Sequence, residues 1–414
     1  MKRLYSFLVL ALVAITLLPA QAFDPAKKYE VTFGGYGDLE KAYAEVFKSA
    51  DFKAKYPNIT VKFQTADFGG HHTRLTTILA AGEQTNDIEA LEVGFIAQFV
   101  EAGGLTDLNA APFKAGVFTK DIVKFAVANA TTDSGSLIAM PVDIAPAVLF
   151  YREDLAKKAG VKMDALKNWD EYIAALKKLS VGGVYGIEHP SAVQAIPLNG
   201  GKGGWFSGGK PLEPKAKFVD ALKLVEKVKA AKVDGDLGAW SGPWSQAYLD
   251  GKVATAVNGA WFGGTLRTWL SPEPGKWRVA YLPGKIMASL GGTYLSIPQT
   301  VPAPRKAAAW EVIKYLTTSP NAQLISFRAI DAFPALTTVY KDPVMDEPVA
   351  FYGGQKVRKI FADVALNIPE NKVSEYDNLI LGIWNGAVTS VVNGKATPEA
   401  AYADALKKIR ATIE

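Results

Sequence analysis

The chain has 414 residues, with 46 Lys and Arg against 41 Asp and Glu, a formal net charge of +5 and no cysteine. Its lysines are spread along helices such as KLVEKVKAAK (223–232), alternating with acids and apolar residues as on a solvated face, which disfavours nucleic-acid binding. The missing cysteines exclude disulfides and thiolate chemistry, and no cysteine-linked lipid anchor is expected.

Lys2 and Arg3 precede an apolar run from Phe7 to Leu18, and Ala20-Gln21-Ala22 follows: the basic end, apolar core and small-residue site of a cleaved export signal. The run is too short to span a bilayer. Cleavage after Ala22 starts the mature chain at Phe23, so a freely diffusing periplasmic protein is expected. At about 150 residues per domain the remainder suffices for two or three domains.

Tyr29 to Phe33 reads as a strand, followed by Gly34-Gly35-Tyr36-Gly37 and a helix with Leu39, Tyr43, Val46 and Phe47 on one face. A strand over Ile59–Phe63, a helix over His72–Ala81, a strand over Asp87–Leu91 and a helix over Ile96–Ala102 continue the alternation. That order predicts a parallel sheet with helices on both faces. Asn168 and Glu171 form a capping-box pattern at a helix that turns Trp169, Ile173 and Leu176 inward. Gly200 to Gly209 reads as a loop. A helix ending at Tyr248-Leu249 meets the turn Asp250-Gly251, and Val253 to Val257 then reads as a short buried strand that runs out at Asn258-Gly259-Ala260, just before Trp261. Helices are expected over Arg305–Leu316, over Asp377–Val392, and after Pro398 with Tyr402, Leu406, Ile409 and Ile413 inward.

Open α/β sheets bind ligands beyond the carboxyl ends of their strands, where Tyr36 and Trp261 fall. Gly35-Tyr36-Gly37-x-x-Glu40 has the place of a dinucleotide fingerprint, but Glu40 stands where a third small residue is needed. In Gly204 to Lys210 the phosphate-loop spacing is followed by Pro211 instead of a hydroxyl, so the match is fortuitous. His71 and His72 are adjacent and cannot easily face one metal, and His189 stands apart, so no metal or cofactor is expected. One of the paired histidines donates to a ligand, or both cap and pack. Asp67, Glu92 and Asp143 each follow or end a strand, as ligand acceptors or as helix caps and surface charges; Asp331 is a similar candidate. Trp205 and Phe206 belong to a ligand lid or to satellite packing. Trp240 and Trp244 flank a turn from which at least one reaches a ligand, whereas Trp169, Trp277 and Trp310 sit on core stripes.

YLDGKVATAVNGAWF (248–262) carries the pattern aromatic-x-x-Gly-Lys-x-Ala-x-x-x-x-Gly-x-Trp. With it, in order along the chain, stand ILAAGEQTNDIEALEVGFIAQFVEAGGLTDLN (78–109), SGSLIAMPVDIAPAVLFYREDLAKKAGV (134–161), WDEYIAALKKL (169–179), GGTYLSIP (291–298), AAAWEVIKYLTTSPNAQ (307–323) and AFPALTTVY (332–340). Together these segments resemble the extracellular solute-binding proteins of family 1, the carbohydrate receptors of ABC importers.

The resemblance implies an α/β fold of the two-lobed periplasmic-binding-protein kind (type II), each lobe a mainly parallel sheet flanked by helices, joined by a multi-segment hinge. Residues 1–22 are then the signal, 23–138 with 292–334 the N-terminal lobe, and 139–291 with 335–414 the C-terminal lobe. Crossings fall near Leu137–Pro141, Leu290–Thr293 and Phe333–Leu336. A monomer without catalytic activity is implied, delivering a mono- or oligosaccharide to permease subunits. In that family a Trp at the place of Trp261 stacks on sugar. The ligand-facing set carried over is Tyr36, Asp67, His71, Glu92, Phe95, Asp143, His189, Trp205, Trp244, Asn258, Trp261, Gly292, Tyr294, Asp331, Trp384 and Asn385. Stacking suits a sugar because its C–H face lies on the negative π-face of an indole while carboxylates and amides read the rim hydroxyls. The alternatives are a secreted carbohydrate-active enzyme, for which no acid–base pair stands out by motif, and the same fold holding a polyamine.

Overall fold

The computed structural model describes residues 22–413, and the expected signal, apart from Ala22, lies outside them. Its early strands are β1 (Tyr29–Tyr36), β2 (Ile59–Ala66), β3 (Ile88–Glu92), β4 (Met140–Pro141), β5 (Asp143–Ile144), β6 (Ala147–Arg152) and β7 (Tyr185–Ile187). The later ones are β8 (Phe206–Ser207), β9 (Lys210–Pro211), β10 (Val253–Gly259), β11 (Trp277–Ala280), β12 (Thr293–Ser296) and β13 (Phe333–Pro334). Two principal sheets result, one in the order β2-β1-β3-β12-β4 and one in the order β11-β6-β10-β7, while β5 pairs with β13 between them and β8 with β9 as a small hairpin.

The sheets are mixed, not mainly parallel. β1 runs parallel to β2 and β3, but β12 lies antiparallel to both β3 and β4. In the second sheet β6 is antiparallel to β10 and β11, and only β10 and β7 are parallel. Strands that enter a sheet after a crossing meet it against its grain, so the helix–strand alternation that dictates parallel pairing holds only within uninterrupted stretches. The chain passes from the first sheet to the second between Pro141 and Ala147, and back between Ala280 and Thr293.

Local signals explain most elements. The helix Phe68–Ala81 starts four residues earlier than its apolar spacing indicates, because Asp67 accepts from the Gly70 N–H at 2.9 Å and caps it. Asn168 caps Trp169–Leu179 through the Glu171 N–H at 2.9 Å, while the Glu171 carboxylate bonds the Lys167 N–H at 2.8 Å. β3 is central and buried along Ile88 to Leu91, and β6 is buried at every position from Ala147 to Arg152. Large core side chains such as Phe33, Tyr43, Phe150 and Trp277 are at most 1% exposed, each contributing about 1.5–3 kcal/mol on burial.

β1 must carry glycine at position 34. Gly34 faces Glu89 across the β1–β3 ladder, and the buried Glu89 carboxylate fills the space a β-carbon would need. Asn86 holds that carboxylate in place through its N–H at 3.1 Å and its amide at 2.9 Å. Gly34→Ala is therefore expected to cost about 1–3 kcal/mol of stability, read as a lowered denaturation midpoint with the ellipticity of the folded state retained.

Candidate functional site

β1 and β3 run in the same direction, so their carboxyl ends, Tyr36 and Glu92, open on one edge of the first sheet. The Tyr36 hydroxyl shares a hydrogen bond with Thr293 Oγ1 at 3.2 Å, and the Thr293 N–H donates to Asp143 Oδ1 at 3.0 Å. The Val93 N–H donates to the Gly292 carbonyl at 3.0 Å. Ends of β1, β3, β5 and β12 thus converge on one floor that carries two carboxylates.

His72 sets the height of that floor. Its Nε2 accepts the Glu92 backbone N–H at 3.0 Å, and its Nδ1 lies 2.8 Å from the Phe68 carbonyl. A ring nitrogen facing an N–H needs a lone pair and one facing a carbonyl needs a proton, which selects the neutral Nδ1–H tautomer. Burial lowers the pKa of His72 to about 4, so the ring stays neutral. Phe95 stacks on it at 3.9 Å and 11°.

The carboxylates bear the cost of their position. Burial pushes Glu92 up to about 7, with the Gly94 N–H opposing the shift and Asp143 adding to it. Asp143 rises to about 6 for the same reason, against the bonds from Thr293. Tyr36 is raised well above its ordinary value by burial and then by these two neighbours. Neither carboxylate has an ion pair among the described residues.

The opposite wall is aromatic. β10 ends at Asn258 and Gly259, where Asn258 Oδ1 accepts the Gly259 N–H at 2.8 Å. Trp261 is partly exposed, and its indole N–H donates to the Leu290 carbonyl at 2.9 Å. Trp240 stacks between Trp261 (6.0 Å, 17°) and Trp269 (6.1 Å, 14°), and Trp240 and Trp269 are exposed. Trp240 has φ of 67°, a strained conformation for a bulky residue that the stack holds in place. The two walls meet at Gly291, where a β-carbon would lie 3.2 Å from the Trp261 indole nitrogen and 3.5 Å from Glu92 Oε1.

From Gly291 a cavity of about 250 Å³ runs on between the lobes. Val93, Gly94 and Ala97 line it on one side, and Trp205, Lys217 and Asp377 on the other. Trp205, which lines this cavity, also packs 5.8 Å from Phe218 and 6.0 Å from Trp384.

The structure thus brings Tyr36, Glu92, Phe95, Asp143, Asn258, Trp261, Trp205 and Gly292 to the floor and walls of one cleft. Other expected site residues lie elsewhere. His71 is fully buried with Nε2 2.8 Å from the Ala90 carbonyl, and Trp244, Tyr294 and Trp384 are core rings at 2%, 1% and 0% exposure. A tryptophan looks the same in sequence whether its face meets ligand or core. Of the pair flanking the 241–243 turn, it is Trp240 that reaches the surface. Asp67 is a helix cap, and His189 caps the turn Pro190–Val193 with Nδ1 2.7 Å from Ser191 Oγ. Asp331 ends the helix Pro320–Ile330 with φ of 57° and pairs with Arg267, so its carboxylate is already engaged. Asn385 is exposed, one turn beyond Leu381 on the helix Asp377–Val392. Trp269, Lys217 and Asp377 were not anticipated. Of the paired histidines, His72 binds backbone groups and packs on Phe95.

A family model described as bacterial extracellular solute-binding protein matches residues 49–352. An arabinooligosaccharide-binding protein of Bacillus subtilis (strain 168) is 29% identical over 189 residues, which span 43% of this chain and 42% of that relative. This chain thus matches less than half of that relative's length. A crystal structure of an extracellular solute-binding protein of family 1 superposes with a TM-score of 0.80 at 25% identity, covering 93% of this chain and all of the other. The binding protein of B. animalis subsp. lactis Bl-04 in complex with β-1,6-galactobiose gives a TM-score of 0.73 at 21% identity, over 92% of this chain and 97% of that one. The fold is that of these two-lobed binding proteins.

A carboxyl whose pKa is higher folded than unfolded favours the folded chain below the unfolded value, and that advantage is lost as pH rises through the folded one. For Glu92 the window runs from the ordinary glutamate range up to about 7. Glu92→Gln should therefore raise the ligand-free melting temperature by a few degrees at about pH 8 and change it little at about pH 5. Equal shifts at both pH values in scanning calorimetry would mean that Glu92 is solvated.

Proposed function

The chain belongs to the bacterial extracellular solute-binding proteins, and from that premise we propose that it captures a mono- or oligosaccharide between its lobes and delivers it to the permease of an ABC importer. The observation that carries this reading is the meeting of the Trp261 indole with the Glu92 carboxylate at Gly291. An indole offers a flat face for sugar C–H groups, and carboxylates without ion pairs accept the hydroxyls at the sugar rim. Relatives that hold an arabinooligosaccharide or β-1,6-galactobiose support a saccharide of this size class.

In this reading residues 23–138 with 292–334 move against residues 139–291 with 335–414, and ligand favours the closed arrangement by touching both. The protein acts as a monomer in the periplasm after removal of its export signal, and performs no chemistry on the ligand. The same carboxylates would also suit a polyamine, so the identity of the ligand is the first thing to measure.

Mass spectrometry of ligand released on denaturing freshly purified protein is expected to show a saccharide; a polyamine would replace the sugar assignment. Trp261→Ala should weaken saccharide binding by about 1–3 kcal/mol in titration calorimetry, because one indole supplies both the stacking face and the apolar surface. Unchanged affinity would return Trp261 to a packing role.

A further inference from the structure

The far end of the interlobe cavity holds polar groups that the rest of the molecule leaves without partners. Asp377 is 7% exposed, and its Oδ2 accepts the Ser374 N–H at 3.1 Å, but Oδ1 is buried with no hydrogen bond. Asn371 donates from Nδ2 to the Gly201 carbonyl at 3.1 Å. A carbonyl opposite the nitrogen fixes which way the amide points, so its Oδ1, also buried and unpaired, must be an acceptor. Both residues line the cavity, as does Lys217, whose ammonium donates to the Gly203 carbonyl and has further protons to give.

Buried acceptors without donors are costly, and native structures rarely keep them without a reason. Here two such acceptors and a spare cationic donor share one cavity between the lobes. Burial pushes the Asp377 carboxyl up to about 7, with Asp133 adding and Lys217 opposing, and burial lowers Lys217 to about 8 against the pull of Asp377. A neutral group that donates to the first and accepts from the second relieves both.

We propose that this end of the cleft is a specificity subsite for a saccharide ring with two neighbouring hydroxyls, one donating to Asp377 Oδ1 and one to Asn371 Oδ1, with Lys217 donating to a hydroxyl oxygen. A ring carrying a carboxylate in place of one of these hydroxyls meets the Asp377 carboxylate and loses that donor, so the subsite selects neutral sugars over uronates. Trp205 lies in the same cavity wall and offers the ring a face. The subsite rests on the sugar-binding reading above, but none of its three polar residues belongs to the floor around Glu92 and Asp143.

The test uses arabinotriose and β-1,6-galactobiose as probes, with digalacturonate as the acidic comparator, in titration calorimetry on the full mature chain. Asp377→Asn and Lys217→Met are each expected to weaken the better neutral probe by roughly tenfold or more, and digalacturonate is expected to bind the parent protein at least tenfold more weakly than that probe. Melting curves without ligand establish that each variant is folded, and because the two residues sit on different helices, one can carry the test if the other fails to fold. Affinities within about twofold of the parent in a folded variant, or a parent that prefers digalacturonate, overturn the subsite while leaving sugar binding intact. A parent protein that binds none of the three saccharides overturns the sugar-binding reading and the subsite together.

Discussion

At Gly291-Gly292 the returning chain passes so close to its neighbours that no side chain fits. The two residues take φ of 124° and 139°, a region open in practice only to glycine. A β-carbon on Gly292 would stand 3.0 Å from the Asp143 carbonyl, and one on Gly291 would press on the Trp261 indole. The close passage is what lets the Thr293 N–H reach Asp143, the Gly292 carbonyl take the Val93 N–H, and Glu92 approach Trp261. The geometry of the cleft is therefore a property of a backbone crossing, and the side chains around it inherit their positions.

The floor built on that crossing is polar but unfinished. Glu92 and Asp143 are held by backbone N–H groups from Gly94 and Thr293, and no cation among the described residues offsets them. Nearby, His72 is locked as a neutral ring by its two bonds, so it supports the floor without adding charge. In the proposed function the missing donors are ligand hydroxyls, which makes the empty cleft slightly unfavourable and the filled one complete. Opposite this floor the wall is rigid and aromatic. In that reading one side reads hydrogen-bond donors and the other reads shape, a division expected of a binding site.

Much of the fold was legible from periodicity, since amphipathic helices and buried strands follow their apolar spacing. Strand direction was not, because parallel alternation is a local rule and the crossings at Pro141–Ala147 and Ala280–Thr293 break it. Site legibility followed the same division. Positions fixed by the backbone, such as Tyr36 and Glu92 at strand ends and Trp261 beyond a strand, follow from the sequence pattern. Those that depend on tertiary packing do not: Trp244 and Trp384 have neighbours much like those of Trp240 and Trp261 in sequence, yet they point into the core. Asp377 and Lys217 were invisible for a related reason, as a charged residue at the start of a helix normally caps or meets water. Only the folding of helix 215–230 beside helix 377–392 turns them toward one cavity.

The near-parallel array of Trp261, Trp240 and Trp269, with Trp244 against it at 5.1 Å from Trp240, has an optical meaning beyond its role as a wall. Indoles at such spacings exchange excitation energy far faster than they emit, so the group behaves as one chromophore whose light comes mainly from its most solvated member. A disturbance at Trp261 is then shared with the rings stacked on it, and in the proposed function the emission of this one corner, out of nine tryptophans in the chain, becomes a collective reporter of what sits at the crossing.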